Sequence, residues 1–216
     1  MEFCELCGSC TFYCPCDARE ICGKDAAVGD VMNEILKDCT FFETSGGGVT
    51  FSGGECMLQI DFLEEILKEC KQNGIHTAVD TAGHLPWASF ERIMPYTDLF
   101  LYDVKSMDTA LHERYVGVGN ELILENLAKL LRSKSRIWVR MPVISEVNDH
   151  LDEMQKLKLF FKQNGYPEAI ELLPYHRMGE HKYASLGRSA EVFRAPREAK
   201  LNELKNMILT EWGKNV

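Results

Sequence analysis

Five short apolar runs, separated by longer stretches of helical periodicity, limit the fold of this chain more than any other feature. Runs of this length predict buried strands, and helical crossovers between them predict that the strands are parallel. The predicted strands cover residues 49–52, 75–80, 99–104, 136–141 and 169–173. The sequence therefore predicts an α/β fold built on a parallel sheet.

Apolar residues spaced three or four apart predict the helices between these strands. One helix begins near Ile60 and ends before Gly74, a second follows Asn120 as its N-cap, and a third covers about residues 151–164 before Gly165. A closing helix is predicted from Leu201, Leu204, Ile208 and Trp212.

Composition narrows the classes of function. The 216 residues are 45% hydrophobic, which is enough for one domain core with a small appendage. The net charge of −9 comes from 33 acidic and 24 basic residues spread along the chain, which argues against binding to nucleic acid or an anionic membrane. No apolar stretch approaches the roughly 20 residues that span a bilayer, so a cytoplasmic protein is expected.

Polar residues and glycines follow the end of each predicted strand. Because the carboxyl ends of parallel strands meet at one edge, we expect these residues to form a binding site there, although single polar residues at such ends also serve as helix caps. The candidates are Gly53, Gly54, Glu55, Asp80, Thr81, Asp103, Lys105, Arg140 and His176.

Residues 45–59 read SGGGVTFSGGECMLQ, a strand bracketed by glycines. Glycines permit positive φ and let a ligand approach the backbone, but they also suit a tight strand-to-helix turn. No Gly-Lys-Ser/Thr follows, and Glu55 would repel a phosphate, so this is not a nucleotide P-loop. A glycine-lined pocket beside a carboxylate better suits an ammonium group.

Cysteines crowd the amino terminus with the spacing C-x2-C-x2-C-x3-C-P of bacterial ferredoxins. The run consists of Cys4, Cys7, Cys10 and Cys14, followed by Pro15. It predicts a 4Fe–4S cluster, with zinc as the alternative. In two-cluster ferredoxins the fourth cysteine of such a run serves the other cluster, and this sequence has no second copy of the run. A cluster bound by Cys4, Cys7 and Cys10 would then need Cys14, Cys16 or Cys22 as its fourth ligand.

Five motifs follow one another in an order that identifies a family resemblance. They are GGGVTFSGGE, VDTAG, DLFLYDVKSMD with HERYVGVGNELILENL, VRMPVISEVND, and ELLPYHRMGEHKYASLG. The chain resembles the radical S-adenosylmethionine enzymes that activate glycyl radical enzymes, such as pyruvate formate-lyase activating enzyme. That resemblance implies an incomplete parallel (β/α)6 barrel of about five strands over residues 29–216, with residues 1–28 as the remnant of a ferredoxin-like insert.

The resemblance also implies an activity. Reductive cleavage of S-adenosylmethionine would give a 5′-deoxyadenosyl radical that abstracts hydrogen from a glycine of a partner glycyl radical enzyme. Reduced flavodoxin or ferredoxin would donate the electron through a 4Fe–4S cluster.

Site residues are carried over at matching motif positions. The resemblance implies that Gly53, Gly54 and Glu55 contact the methionine amino group. It implies that the carboxylate, ribose and adenine are held by Asp103, Val104, Lys105, Arg140 and His176. It further implies a monovalent cation site at Asp80, Thr81 and Asp103. Cys56 follows Glu55 as a small apolar residue, and we do not expect it to bind a cluster.

The resemblance also requires a C-x3-C-x2-C run for the catalytic cluster. Cys10 and Cys14 have the first interval, but Asp17 stands at the third position. We therefore expect no catalytic cysteine triad and no reductive cleavage by this polypeptide alone. It would be a truncated reading frame, one half of a split activating enzyme, or an iron–sulfur electron-transfer or binding module.

Overall fold

A parallel sheet of five strands forms the centre of the computed structural model, which describes residues 5, 7–21, 23–185, 187–189 and 191–209. The strands are β1 (Gly48–Phe51), β2 (His76–Thr81), β3 (Leu99–Asp103), β4 (Ile137–Val143) and β5 (Ala169–Pro174). Their order in the sheet is their order in the chain, and every neighbouring pair is parallel. The predicted α/β class and incomplete barrel are confirmed, and each predicted strand boundary lies within two residues of the observed one.

Helices lie before, between and after the strands. They are α1 (Ser9–Phe12), α2 (Val28–Leu36), α3 (Cys39–Ser45), α4 (Ile60–Gln72), α5 (Trp87–Ile93), α6 (Thr109–Val116), α7 (Glu121–Arg132), α8 (Leu151–Asn164), α9 (Glu180–Ser185) and α10 (Glu198–Leu209). The three predicted crossover helices are α4, α7 and α8. The closing helix is α10, and Trp212 lies outside the described residues.

The core lies between the helices and the sheet. Phe100 and Tyr102 of β3 point into it with Val139 of β4, and all three are fully buried. They belong to one apolar cluster with residues of α4 and α7, including Leu67 and Leu127. Burying each large side chain contributes roughly 1.5–3 kcal/mol, so this face of the sheet fixes the strand positions.

The opposite face of the sheet, here called the open face, carries the alternate residues of the same strands. It presents Asp80, Leu101, Asp103, Trp138 and Arg140, which are all partly exposed. Strand register pairs Asp80 with Leu101 and Asp103 with Arg140. The carboxyl end of the open face is therefore charged while the helix-covered face is apolar.

Within the described part of the chain, no helix has both the length and the apolar character needed to cross a bilayer.

Close approach of β1 and β2 depends on Gly48, and its replacement tests the sheet. A Cβ built at Gly48 would lie 2.0 Å from the backbone oxygen of His76, a clash that no side-chain rotation relieves. Gly48→Ala should therefore lower the free energy of unfolding by about 2 kcal/mol, measured by urea denaturation.

The matched control is Gly29→Ala in α2, where an added Cβ meets no atom within 4 Å. Alanine favours helix, so this change should raise stability by about 0.5 kcal/mol. If the two variants unfolded at the same urea concentration, the close approach of β1 to β2 at Gly48 would be contradicted.

Candidate functional site

Glu55 is held at the carboxyl end of β1 by three hydrogen bonds. Its Oε1 accepts from the Met57 N–H at 3.2 Å, which makes Glu55 the N-cap of the short 3-10 turn Cys56–Gln59. Its Oε2 accepts from the Thr81 hydroxyl and from the Ala82 N–H, both at 2.9 Å. An ionised carboxylate has about four acceptor positions, so one remains for a donor from a ligand.

The two glycines before Glu55 leave their backbone open. Gly53 has φ of 127°, a conformation that favours glycine. A Cβ built at Gly53 or at Gly54 would meet no atom of the described chain within 4 Å, and both residues are exposed. A ligand can therefore lie against this backbone beside the Glu55 carboxylate.

Charged side chains form a cluster at the carboxyl ends of β1 to β4. Arg140 pairs with Asp80, and its guanidinium also lies 2.9 Å from Asp103 Oδ1. Lys105 Nζ lies 2.6 Å from Asp103 Oδ2, and Ser52 donates to Asp80 Oδ2 at 3.1 Å. These five residues are called the carboxylate–arginine cluster below. Because two acids face two bases, the cluster is electrically balanced.

Buried polar side chains hold the loop after β3, which carries Lys105. Asn148 donates to the Lys105 carbonyl at 2.8 Å, and Asn120 donates to the Ser106 carbonyl at 2.9 Å. The Glu153 carboxylate accepts from the Ser106 hydroxyl at 2.9 Å. Asn120, Asn148 and Glu153 are each no more than 3% exposed, so the loop is fixed before any ligand arrives.

Asn120 does not have the capping role that the sequence predicts for its side chain. Asn148 and Glu153 were not identified from the sequence. Asn120 stands at the N-cap position of α7, but its side chain makes no capping hydrogen bond. Its amide instead spans the loop, where its oxygen accepts from the Thr109 hydroxyl at 2.7 Å. Glu153 lies in a predicted helix with no strand-end signal, and Asn148 lies in the motif VRMPVISEVND without a predicted role. Deep burial in the folded chain identifies both as residues that hold the loop.

Two predicted site residues lie apart from these groups. Val104 is 1% exposed, so its side chain belongs to the core and only its backbone borders the site. His176 is exposed beyond the end of β5, and among the described residues no hydrogen bond joins it to the carboxylate–arginine cluster. The roles assigned to Val104 and His176 stay predictions.

Arg140 occupies the position beside Asp80 and Asp103 where a monovalent cation is predicted to bind. The positive charge beside Asp80 and Asp103 is the Arg140 guanidinium. The Thr81 hydroxyl is engaged as well, because it donates to Glu55 and accepts from the Gly83 N–H at 3.0 Å. A cation at this position would have to displace Arg140, and the site stays a prediction.

The amino-terminal cysteines are described only in part, since Cys4 and Cys22 lie outside the described residues. Cys7, Cys10 and Cys14 are free thiols. A hydrogen bond with the Ser9 side chain lowers the pKa of Cys7, and the backbone amides of Cys16 and Ala18 lower that of Cys14. Where the chain is described, no three His, Cys, Asp or Glu side chains form a group that could hold a metal, so the cluster ligands stay a prediction.

Cys56 is held beside the site as a protonated thiol. Its single S–H is shared between two acceptors, the Phe51 carbonyl at 3.4 Å and the Asp80 carbonyl at 3.5 Å from Sγ. Burial, together with the negative charge of Glu55, raises the pKa of the Cys56 thiol to about 12. The residue thus acts as a small packing group, in keeping with the sequence interpretation.

The chain is similar to a known superfamily and to several known enzymes. The chain matches the model of the radical SAM superfamily over residues 4–157. It is 42% identical over 196 residues to the trans-4-hydroxy-L-proline dehydratase activating enzyme of Clostridioides difficile, covering 88% of this chain and 65% of that enzyme. It is 36% identical over 199 residues to the pyruvate formate-lyase 1-activating enzyme of Escherichia coli K12, covering 90% of this chain and 80% of that enzyme.

A solved structure is similar as well. The crystal structure of a domain of pyruvate-formate lyase-activating enzyme from Bacteroides vulgatus ATCC 8482 has a TM-score of 0.66 and 34% identity, and the match covers 77% of this chain and 95% of that domain. Against three of its curated relatives, all activating enzymes, the chain spans 57–65% of their length.

Removing Arg140 should destabilise the fold, because its charge offsets the repulsion between the Asp80 and Asp103 carboxylates. Arg140→Met leaves the Asp80 and Asp103 carboxylates without their shared partner. Because these side chains are only about a fifth exposed, we expect a loss of about 2 kcal/mol in urea denaturation.

The control is Arg136→Met immediately before β4, which removes an exposed pair with Glu168 and should cost less than about 1 kcal/mol. Adding Asp103→Asn to Arg140→Met should restore part of the lost stability. If both arginine variants unfold at the same urea concentration, the cluster does not have this electrostatic role.

Proposed function

The chain belongs to the radical SAM superfamily and, within it, to the activating enzymes of glycyl radical enzymes, and from this premise we propose that it binds S-adenosylmethionine at the carboxyl ends of β1 to β4. We further propose that this binding serves the formation of a glycyl radical on a partner enzyme. The observation that carries the proposal is that Glu55 and the carboxylate–arginine cluster stand at one edge of one sheet.

When bound, S-adenosylmethionine and a reduced iron–sulfur cluster would together supply the radical that removes hydrogen from a glycine of the partner. Because this sequence has no C-x3-C-x2-C run, the catalytic cluster for that step would have to be held by cysteines outside it. The chain contributes binding and orientation, and no side chain has to act as a general base. The residues present suit a ligand that carries an amino acid and a nucleoside, because they offer an open acceptor, open glycine backbone and two cations side by side.

The ammonium group of the ligand would bind at Glu55. Among the described residues, three donors hold this carboxylate in place and none occupies its fourth acceptor position. An ammonium donor there makes a charge-assisted hydrogen bond, which is about twice as strong as a neutral one. Open space over Gly53 and Gly54 leaves room for the methionine chain.

The carboxylate and the ribose would bind at the carboxylate–arginine cluster. The Lys105 side chain is 37% exposed and pairs with a carboxylate that Arg140 also contacts. Lys105 can therefore turn towards a ligand carboxylate while Arg140 continues to compensate Asp103. The aspartate oxygens then remain as acceptors for ribose hydroxyls.

We also propose that Cys4, Cys7, Cys10 and Cys14 hold a 4Fe–4S cluster in a small unit formed by residues 1–28, with residues 29–216 as the barrel. The free thiols of Cys7, Cys10 and Cys14 support this assignment, and the pKa values of Cys7 and Cys14 are lowered, which favours the thiolate that binds iron. Reduced flavodoxin or ferredoxin is the proposed electron donor. The cytoplasm, which keeps thiols reduced, is the proposed compartment.

Binding of S-adenosylmethionine tests the proposal directly. We expect saturable binding of S-adenosylmethionine to the purified chain by isothermal titration calorimetry. Glu55→Gln should weaken it about tenfold, because it removes the charge that faces the ammonium group. 5′-Methylthioadenosine lacks the amino acid, so its affinity should not change in this variant.

Glu125→Gln is the matched control, since Glu125 is an exposed glutamate on α7 paired only with Lys129 among the described ion pairs. It should leave the affinity for both ligands unchanged. Absence of binding to the unmodified chain, or equal losses for the two ligands in Glu55→Gln, would overturn the proposed site.

A further inference from the structure

We propose that Asn126 of α7 is a positioning residue for Glu55, acting through the loop that follows β2. The inference rests on the proposed function, in which Glu55 binds the ammonium group of S-adenosylmethionine. Asn126 does not reach the ligand site, because it lies in the core at 0% exposure.

The amide of Asn126 is committed to the backbone of that loop. Its Nδ2 donates to the Gly83 carbonyl at 2.9 Å and to the Leu85 carbonyl at 2.7 Å. Both partners are acceptors, so the nitrogen must be the end of the amide that faces them. The orientation of the side chain is thereby fixed.

Its other end has no partner. Asn126 Oδ1 is one of two buried side-chain polar atoms without a hydrogen bond among the described residues. A buried acceptor without a donor is unfavourable, and a leucine of similar size would fill the same space without one. Packing alone does not account for an asparagine here, whereas its two donated hydrogen bonds do.

From the loop, a continuous path leads to Glu55. Gly83, whose carbonyl Asn126 holds, donates its N–H to the Thr81 hydroxyl at 3.0 Å. That contact leaves the Thr81 hydroxyl hydrogen free to point at Glu55 Oε2, 2.9 Å away. The adjacent Ala82 N–H reaches the same oxygen at 2.9 Å. Two of the three hydrogen bonds to Glu55 thus come from the segment that Asn126 fixes.

A second contact ties the same loop to the same face of α7. Gly83 has φ of 76°, and a Cβ there would lie 1.9 Å from the Tyr102 hydroxyl oxygen. Tyr102 donates to the Ile123 carbonyl at 2.7 Å. Ile123 and Asn126 are three residues apart and so lie on one face of α7. The position of α7 therefore sets the position of the Glu55 carboxylate.

The decisive experiment is a double-mutant cycle between Asn126 and Glu55, read by titration with S-adenosylmethionine. Asn126→Leu should weaken binding about tenfold in the native background and less than twofold in the Glu55→Gln background. Affinity for 5′-methylthioadenosine should stay within twofold throughout. Equal losses in both backgrounds would mean that Asn126 supports only the fold, and the inference would be overturned.

A matched control separates stability from positioning. Thr77 is fully buried at the other end of β2, and its hydroxyl donates to the Tyr96 carbonyl at 2.8 Å. Thr77→Val should lower the melting temperature and leave the affinity for S-adenosylmethionine unchanged. If it weakens binding as much as Asn126→Leu does, the effect is not specific to the loop after β2, and the inference fails.

Amide hydrogen exchange at Ala82 gives a readout that needs no ligand. Asn126→Leu should speed this exchange at least tenfold, and unchanged exchange would overturn the inference. Should the leucine variant fail to fold, Asn126→Ser is measured in its place with the same expectations. If the native chain does not bind S-adenosylmethionine, the proposed function fails, and Ala82 exchange still decides whether Asn126 positions Glu55.

Discussion

Two aspartates at the ends of neighbouring strands share one arginine, and the charged end of the sheet depends on that pairing. The side chains of Asp80 in β2 and Asp103 in β3 are mostly buried. Like charges repel more strongly there than in water, because the protein interior screens them less. Arg140 of β4 contacts both carboxylates with a planar group that carries several donors. Lys105 places a second positive charge beside Asp103. The two cations balance the two carboxylates, so a charged site can exist at the end of an otherwise apolar sheet.

The loops around this pairing are held by buried polar side chains instead of by regular structure. Asn120, Asn148 and Glu153 fix the loop after β3, and Asn126 fixes the loop after β2. Ordering a loop only when a ligand binds would reduce affinity, because the entropy loss would fall within the binding step. Here that loss belongs to folding, and the site residues are in place beforehand.

Much of the fold was predictable because strand positions depend on local composition. Short apolar runs located all five strands, and the helix spacing located α4, α7 and α8. The sequence also placed Glu55, Asp80, Asp103 and Arg140 at one edge, since parallel strands bring their carboxyl ends together. Short helices such as α2, α5 and α6 were not predicted, because their apolar spacing extends over too few residues.

The contacts inside the site were not predictable, because they join residues far apart in sequence. Asn126 lies 43 residues from Gly83, and Glu153 lies 47 from Ser106. Asn126 lies in the motif HERYVGVGNELILENL, but nothing in that motif predicts which distant carbonyls its side chain contacts. Val104 shows the converse, since a position next to candidate site residues in sequence can still point into the core.

Cys56 gives the chain an unusual chemical selectivity. With its pKa raised to about 12, this sulfur remains protonated at neutral pH and reacts slowly with electrophiles. The thiols of Cys7, Cys10 and Cys16 are exposed to solvent, whereas Cys56 is half-buried. In the chain without a bound cluster, a maleimide dye or spin label would therefore attach to the amino-terminal segment and leave the neighbourhood of Glu55 unmodified.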